Sequence, residues 1–203
     1  FGLPHSVARR NICKWSTGLK AEHHPENSRR LEILRSYGVL DTERERDFDD
    51  VVALASKLCE TPVSLISLVD ENRQWMKAAI GVNWTETPME QAICAHAILS
   101  DGYFEVNDTL ADPRTADNPL VAAADGARFY AGAALVSPEG LPLGTLCVLD
   151  HKPRQLTDLQ RETLQVLARQ VMAQLEMRRA LAAAEALRHE VDHRVKNSLQ
   201  SLS

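Results

Sequence analysis

The spacing of apolar residues changes twice along the chain, and between Asn27 and Leu58 it is typical of helices. Apolar residues recur at intervals of three and four from Asn27 to Gly38, and again after Asp41 and Thr42 as far as Leu58. This spacing places them on one side of a helix, and the acidic residues that follow Thr42 suit a helix N-terminus. The pattern predicts two helices before residue 60.

Beyond Pro62 the pattern alternates between apolar and polar positions, which is typical of strands. One predicted hairpin pairs residues 63–70 with 74–80, and another pairs 128–136 with 143–149. Between the hairpins the sequence predicts a helix from Pro88 to Leu99, a strand at Tyr103–Val106 and a polar loop at 107–118. This order of elements predicts an α+β domain built on an antiparallel sheet.

A single long helix is predicted from its N-cap, Thr157, to the end of the chain, because no Pro or Gly follows. A helix of about 47 residues is about 70 Å long. Its apolar stripe continues through Leu164, Leu175, Leu187 and Val191. A helix of this length needs a partner along its stripe, so we expect a homodimer with coiled-coil packing.

Composition and charge narrow the class of protein. The 203 residues are 44% hydrophobic and 25% charged, as in soluble globular chains, and no run approaches the roughly 18 apolar residues of a membrane span.

The net charge is −5, with +3 at each end (1–25 and 151–203), which leaves −11 for residues 26–150. An acidic body disfavours nucleic acid. Widely spaced cysteines and the lack of a signal-peptide core predict a cytoplasmic protein without a membrane partner.

The segment around His193 carries the sharpest chemical motif. Val191 and Val195 belong to the apolar stripe, so His193 falls on a different face of the helix, toward water. An exposed imidazole that titrates near neutral pH can act as a nucleophile. Asn197, four residues on, lies on the same face. The alternative is a solvated, charged helix face that contains a histidine.

Residues 192–200, Asp-His-Arg-Val-Lys-Asn-Ser-Leu-Gln, resemble the phosphoacceptor box of bacterial two-component sensor histidine kinases of the HWE-related type. The resemblance implies that His193 is phosphorylated from ATP and that Asn197 lies beside the phosphoryl group. Arg194 stands where the commoner kinase box has an acid, so Asp192 is only a candidate proton acceptor.

The same resemblance implies a function: the sensory input region of a histidine kinase, which controls phosphorylation of His193 and transfer to a response regulator. The chain stops ten residues past His193, and neither the second bundle helix nor an ATP-binding domain is present. We therefore expect ATP to be a cofactor of the full-length parent only, and this chain to be inactive as a kinase on its own.

A second resemblance, to GAF sensor domains, covers about residues 26–175. Its motifs occur here in the family's order as Leu40-Asp41-Thr42, Ser67-Leu68-Val69-Asp70, Arg73-Gln74-Trp75, Ile93-Cys94-Ala95-His96-Ala97-Ile98, Arg128-Phe129-Tyr130-Ala131-Gly132 and Gly144-Thr145-Leu146-Cys147-Val148-Leu149-Asp150. The resemblance implies a six-stranded antiparallel sheet, helices 26–60 and 157–175 on one face, and a small-molecule pocket on the other.

Together the two resemblances divide the chain into four parts. These are a linker or disordered end at 1–25, a GAF sensor domain at 26–155, a signalling helix at 156–186 that continues the last GAF helix, and the truncated start of a kinase dimerisation domain at 187–203.

The resemblance does not identify a ligand, because GAF pockets hold cyclic nucleotides, tetrapyrroles, haem, small metabolites or nothing. The candidate wall residues are Trp75, Cys94, His96, Asp112, Phe129 and Tyr130. Cys94 and His96 supply too few ligands for a closed zinc site, so we expect no metal. For this pair, the ordinary packing of a GAF helix is the alternative.

Two other functions stay open. One is a ligand-free GAF dimerisation scaffold whose pocket is filled by side chains. The other is a GAF-fold redox enzyme, similar to those that reduce free methionine sulfoxide, in which Cys59, Cys94 or Cys147 would act.

Overall fold

The computed structural model describes residues 21–200, with side chains described through residue 194. A six-stranded antiparallel sheet in the order β3-β2-β1-β6-β5-β4 forms its centre. The strands are β1 (Val63–Val69), β2 (Arg73–Ile80), β3 (Glu86–Pro88), β4 (Tyr103–Val106), β5 (Phe129–Val136) and β6 (Pro142–Asp150). The helices are α1 (Asn27–Ser36), α2 (Arg46–Cys59), α3 (Ile93–Ala97), α4 (Pro119–Ala122) and α5 (Asp158–Gln200). The predicted α+β architecture is confirmed.

The two faces of the sheet are buried against different elements, because successive side chains of a strand point in opposite directions. On one face, Ile66 and Val148 pack with apolar residues of α1, α2 and α5. On the other face, Leu65 and Cys147 pack with residues of α3 and α4. Strand β1 is buried at all seven positions, as expected for a central strand that is covered on both sides. The predicted helical layer on one face is therefore confirmed.

The segment after the first hairpin differs from the helix predicted at 88–99. Glu86–Pro88 pairs with β2 at the edge of the sheet, where the missing N–H of proline is tolerated. A short 3₁₀ turn follows, and Ala92 then adopts an extended conformation. The α-helix is therefore confined to Ile93–Ala97.

Helix α2 also begins later than the sequence pattern predicts. The Thr42 hydroxyl donates to the Val39 carbonyl oxygen at 2.7 Å, and Asp41 adopts a positive φ of 59°. These residues form a turn, and the chain is extended at Glu45 before α2 starts at Arg46.

Helix α5 begins with a capping box and continues far beyond the sheet. The Gln160 amide donates to Thr157 Oγ1 at 3.3 Å, and the Thr157 amide donates to Gln160 Oε1 at 3.0 Å. The predicted N-cap is confirmed. Leu164 and Leu175 are buried against the sheet, whereas residues 180–194 are exposed throughout. Across residues 21–200, no helix is long and apolar enough to cross a membrane.

Candidate functional site

A pocket of about 140 Å³ lies on the sheet face that α3 and α4 cover. Its walls are mostly apolar, with a few polar groups. Residues that line it are Val63, Leu65, Gln74, Val82, Trp84, Gln91, Ile93, Cys94, Leu120, Asp125, Ala127, Tyr130, Cys147, Leu149, Asp150 and His151. A larger, more open groove of about 560 Å³ lies between β5 and α5 on the opposite face. None of the candidate residues from the sequence lines that groove.

Two of the six pocket candidates lie in this wall, and they touch each other. The Tyr130 hydroxyl donates to Cys94 Sγ at 3.2 Å and lies 3.4 Å from Thr145 Oγ1. Both side chains are almost fully buried. The pairing joins α3 to the middle of the sheet at the pocket floor.

Trp75 and Phe129 lie on the other face of the sheet, among the core residues packed against α1, α2 and α5. Strand alternation explains the placement, because the neighbouring residues Gln74 and Tyr130 then face the pocket. Sequence reasoning therefore missed Gln74, although its position beside Trp75 in β2 was a usable signal. Trp84, which also lines the pocket, gave no such signal.

His96 and Asp112 belong to a polar cluster that does not line the pocket. Asp112 accepts hydrogen bonds from the backbone amide and Nε of Arg114, at 2.9 and 2.8 Å, and this pairing lowers the pKa of the Asp112 carboxyl. Burial lowers the pKa of His96, and the positive charge of Arg114 acts in the same direction. Arg114 also stacks on the Phe104 ring, 4.6 Å from its centroid. The Arg114–Phe104 contact holds the segment after β4 against β4 itself.

Gln74 brings an unsatisfied acceptor to the pocket wall. Its side chain is 4% exposed, and its Nε2 lies 3.6 Å from Met76 Sδ. Its Oε1 has no hydrogen-bond partner among the described residues. A buried acceptor without a donor costs free energy, so a molecule with an N–H or O–H group would be stabilised here.

The polar groups at the pocket do not form a metal centre. Within residues 21–200, no three His, Cys, Asp or Glu side chains converge as metal ligands. At the pocket rim, His151 Nδ1 lies 2.9 Å from the Asp125 carbonyl oxygen. The pocket offers apolar surface and hydrogen-bonding groups to a small molecule.

His193 and Asp192 lie on the exposed part of α5, well separated in sequence from every pocket residue. The adjacent Arg194 forms an ion pair with Glu190, one helical turn earlier. The side chain of Asn197 lies outside the described residues. The structure therefore does not join His193 or Asp192 to the pocket.

The family model for the GAF domain matches residues 43–175. The chain belongs to the GAF domain family. Its GAF domain comprises the sheet, α2 to α4, and the sheet-packed part of α5. The motifs recognised in the sequence and the six-stranded sheet agree with this assignment.

One relative of this GAF protein is named a cyclic di-GMP phosphodiesterase, from Pseudomonas aeruginosa, and is 41% identical over 159 residues. The alignment covers 77% of this chain and 27% of the relative, so the chain spans about a quarter of that protein's length. Identity at this level indicates common descent of the aligned region.

Solved structures share the fold at much lower identity. A domain of a protein described as a two-component sensor histidine kinase, from Sinorhizobium meliloti, has a TM-score of 0.55 at 16% identity, over 70% of this chain and 97% of its own. Free methionine-R-sulfoxide reductase from Neisseria meningitidis has a TM-score of 0.55 at 16% identity, over 82% and 99%. These likenesses show the GAF fold alone, because an identity as low as 16% does not indicate a shared function.

The phosphodiesterase contradicts one prediction from the sequence. The chain was expected to be the sensory input region of a histidine kinase, and this assignment is wrong, because the 41% identical relative is a phosphodiesterase. The expectation depended on nine residues that lie beyond residue 175, where the GAF match ends.

A sensor role in signal transduction is supported. The roles given to His193, Asp192 and Asn197, with ATP and a response regulator, stay predictions.

Proposed function

We propose that this chain is the sensory module of a cyclic di-GMP signalling protein. Its pocket binds a small molecule, and α5 transmits the resulting change to an output domain. The observation that carries the proposal is the 41% identity over 159 residues with a cyclic di-GMP phosphodiesterase. The aligned region is 27% of that relative, so most of that protein lies outside it, and we expect its catalytic domain there.

The size and polarity of the pocket limit the ligand. Its volume of about 140 Å³ is well below the roughly 300–1,000 Å³ of sites for drug-sized molecules. The cyclic dinucleotide is therefore expected to be the substrate of the output domain and not the occupant of this pocket. A small, mostly apolar molecule with a donor for Gln74 Oε1 fits the wall best.

Strand β6 provides a physical route from the pocket to α5. Cys147 and Leu149 face the pocket, whereas Leu146 and Val148 lie in the core shared with α5. A ligand that shifts β6 changes both faces at once, because the two sets of side chains share one backbone. The ligand acts on the output only by binding one arrangement more tightly than the other.

The exposed part of α5 provides the proposed dimer contact. Met177, Leu187 and Val191 are 67%, 63% and 51% exposed. With Ala180 and Ala184 they occupy successive a and d positions of a heptad pattern. Packing two such helices in parallel buries this stripe, so we infer a homodimer through α5. A change at the base of the helix can then alter the register or packing of the pair.

The binding part of the proposal is tested by mass spectrometry of the purified chain under native and denaturing conditions. The wild-type chain is expected to carry additional mass that denaturation releases. The Gln74→Leu variant lacks the buried acceptor and is expected to lose that mass. Gln155→Leu, at an exposed position outside the pocket, is the matched control and keeps it. A folded wild-type chain at its bare mass contradicts ligand binding.

The signalling part is tested in a chimera. Residues 26–200 of this chain replace the aligned region of the Pseudomonas aeruginosa phosphodiesterase, and hydrolysis of cyclic di-GMP is measured. We expect an active chimera whose rate changes several-fold with Gln74→Leu and does not change with Gln155→Leu. An active chimera that is insensitive to both variants shows that the pocket does not control the output.

A further inference from the structure

Two cysteine thiols meet at the floor of the pocket. Cys94 in α3 and Cys147 in β6 are 53 residues apart in the sequence, yet their Sγ atoms lie 3.8 Å apart. This is van der Waals contact between sulfurs, whereas a disulfide bond is about 2.05 Å long. The sulfurs therefore approach each other by less than 2 Å to form a bond, which small side-chain rotations and a slight shift of α3 can supply.

Hydroxyl groups around the two thiols make them chemically unequal. Burial raises the pKa of Cys94, but hydrogen bonds that involve Cys147, Ser67, Thr145 and Tyr130 outweigh it and lower the pKa to about 6. Burial raises the pKa of Cys147 well above its ordinary value, and the neighbouring Cys94 acts in the same direction. The two opposite shifts favour ionisation of Cys94 over Cys147, which suits Cys94 as a nucleophile and Cys147 as its resolving thiol.

Access to these thiols is restricted to small molecules. Cys94 is 2% exposed and Cys147 is fully buried, so another protein's cysteine cannot reach either sulfur. Both nevertheless line the pocket of about 140 Å³. A compound the size of hydrogen peroxide or a short alkyl hydroperoxide fits in this space, and a protein disulfide does not.

We propose that Cys94 and Cys147 form an oxidisable dithiol site whose substrate is a small hydroperoxide. In the first step the Cys94 thiolate attacks the outer peroxide oxygen and the O–O bond breaks. Cys94 becomes a sulfenic acid that keeps the peroxide's own proton, and the alkoxide or hydroxide that leaves takes from water the proton that the Cys94 thiol released on ionisation. In the second step Cys147 sulfur attacks Cys94 sulfur, the S–O bond breaks, and water leaves with the Cys147 proton. Overall the two thiols lose two electrons and the peroxide gains them. An alkyl hydroperoxide gives an alcohol and one water, and hydrogen peroxide gives two waters.

The disulfide changes the pocket that the proposed function assigns to a ligand. It ties α3, which covers the pocket, covalently to β6, which contacts the α5 layer on its other face. It also changes the sulfur that accepts the Tyr130 hydrogen bond from a thiol to a disulfide sulfur and shifts its position. The site therefore adds a stoichiometric response to oxidant, and its test on the ligand-free chain does not require that a reversible ligand exists.

The test treats the reduced, folded chain with a small excess of hydrogen peroxide, blocks the remaining thiols by alkylation under denaturing conditions, and analyses tryptic peptides by mass spectrometry. We expect residues 78–114, which contain Cys94, to be linked to residues 129–154, which contain Cys147, with the loss of two hydrogen atoms. Dithiothreitol is expected to reverse the link. Cys59→Ala, at a buried cysteine outside the pocket, is the matched control and forms the same link.

Single-cysteine variants separate the two roles. With Cys147→Ala, peroxide is expected to leave a sulfenic acid on Cys94, which dimedone traps when it is added with the denaturant. With Cys94→Ala, Cys147 is expected to stay a thiol. Circular dichroism checks that each variant is folded. If either variant fails to fold, the wild-type peptide link under native conditions decides alone. The proposal is overturned if both thiols remain alkylatable in the treated wild type, or if Cys94 links to Cys13 or Cys59 instead.

Discussion

At the scale of the residue, buried polar side chains of β2 differ in whether the fold supplies their hydrogen-bond partners. Lys77 Nζ, on a fully buried side chain, donates to Thr42 Oγ1 at 2.8 Å and to the Glu43 carbonyl oxygen at 2.7 Å, and it pairs with Glu45. Gln74 Oε1, on the opposite face, has no such partner among the described residues. Lys77 therefore holds the α1–α2 connection against the sheet. Gln74 Oε1 is available to a ligand, which can offset the cost of its burial.

His96 is expected to make the stability of the domain depend on pH. Burial and Arg114 lower its pKa in the folded chain below its ordinary value of 6.5, and the opposing effects of Asp112 and Asp117 are smaller. Below about pH 6.5 the unfolded chain therefore binds a proton that the folded chain resists, so the free energy of unfolding falls as pH falls. Above about pH 6.5 both states are neutral at this residue and its contribution is constant.

Urea unfolding of the wild type and of His96→Asn, measured between about pH 5 and pH 8, checks this expectation. The loss of stability on acidification is expected to be smaller in the variant. His23→Asn, at an exposed position, is the control and should follow the wild type. Parallel curves for wild type and His96→Asn would show that another group is responsible.

At the scale of the element, α5 depends on its first turn for its start and on the sheet for its position. The capping box between Thr157 and Gln160 satisfies two amides that the helix itself leaves without partners. Gln160 Nε2 also donates to the Leu58 carbonyl oxygen at 3.1 Å. The base of α5 is thereby joined to the end of α2. The Gln160 side chain therefore takes part both in the cap and in the contact between α5 and α2.

Removing the cap by Thr157→Ala is expected to lower the free energy of unfolding by about 1 kcal/mol. Thr157→Ser keeps a hydroxyl at this position and is expected to retain most of the stability. Thermal unfolding followed by circular dichroism measures both variants. An alanine variant as stable as the serine variant would mean that the cap contributes nothing.

At the scale of the whole molecule, the exposed half of α5 determines the expected assembly. Residues 180–194 contact no other part of the described chain closely enough to bury a side chain. Their apolar positions at Leu187 and Val191 are therefore available to a second copy, and the alanines at 182–184, which precede them, permit close helix packing. The proposed dimer thus depends on a segment that lies beyond the GAF domain.

Leu187→Glu is expected to convert the proposed dimer to a monomer, because the two glutamates would face each other in the seam and repel. Ala186→Glu places the same charge outside the a and d positions and is the matched control. Sedimentation equilibrium measures both variants beside the wild type at micromolar concentration. A monomeric wild type, or a dimer that survives Leu187→Glu, contradicts the proposed interface.

Much of the architecture was predictable from residue spacing, since strand and helix periods depend on local backbone geometry. Both hairpins, the strand at Tyr103–Val106 and the capped start of α5 were predicted and are present. A helix does lie within 88–99, at Ile93–Ala97, but its predicted start at Pro88 was wrong, because a proline is compatible with a helix start and with an edge strand. Only its pairing with Arg73 decides between them.

The sequence by itself determined the order of elements, the family motifs and the alternation that gives each strand two sets of side chains. It did not determine which set faces the pocket, because both faces of the sheet are buried and β1 has no polar side to distinguish them. For this reason Trp75 and Phe129 were candidates for the wall, while Gln74 was missed. Only the tertiary structure brings Cys94 to within 3.8 Å of Cys147. Their contact depends on how α3 packs across β6, which no local pattern encodes.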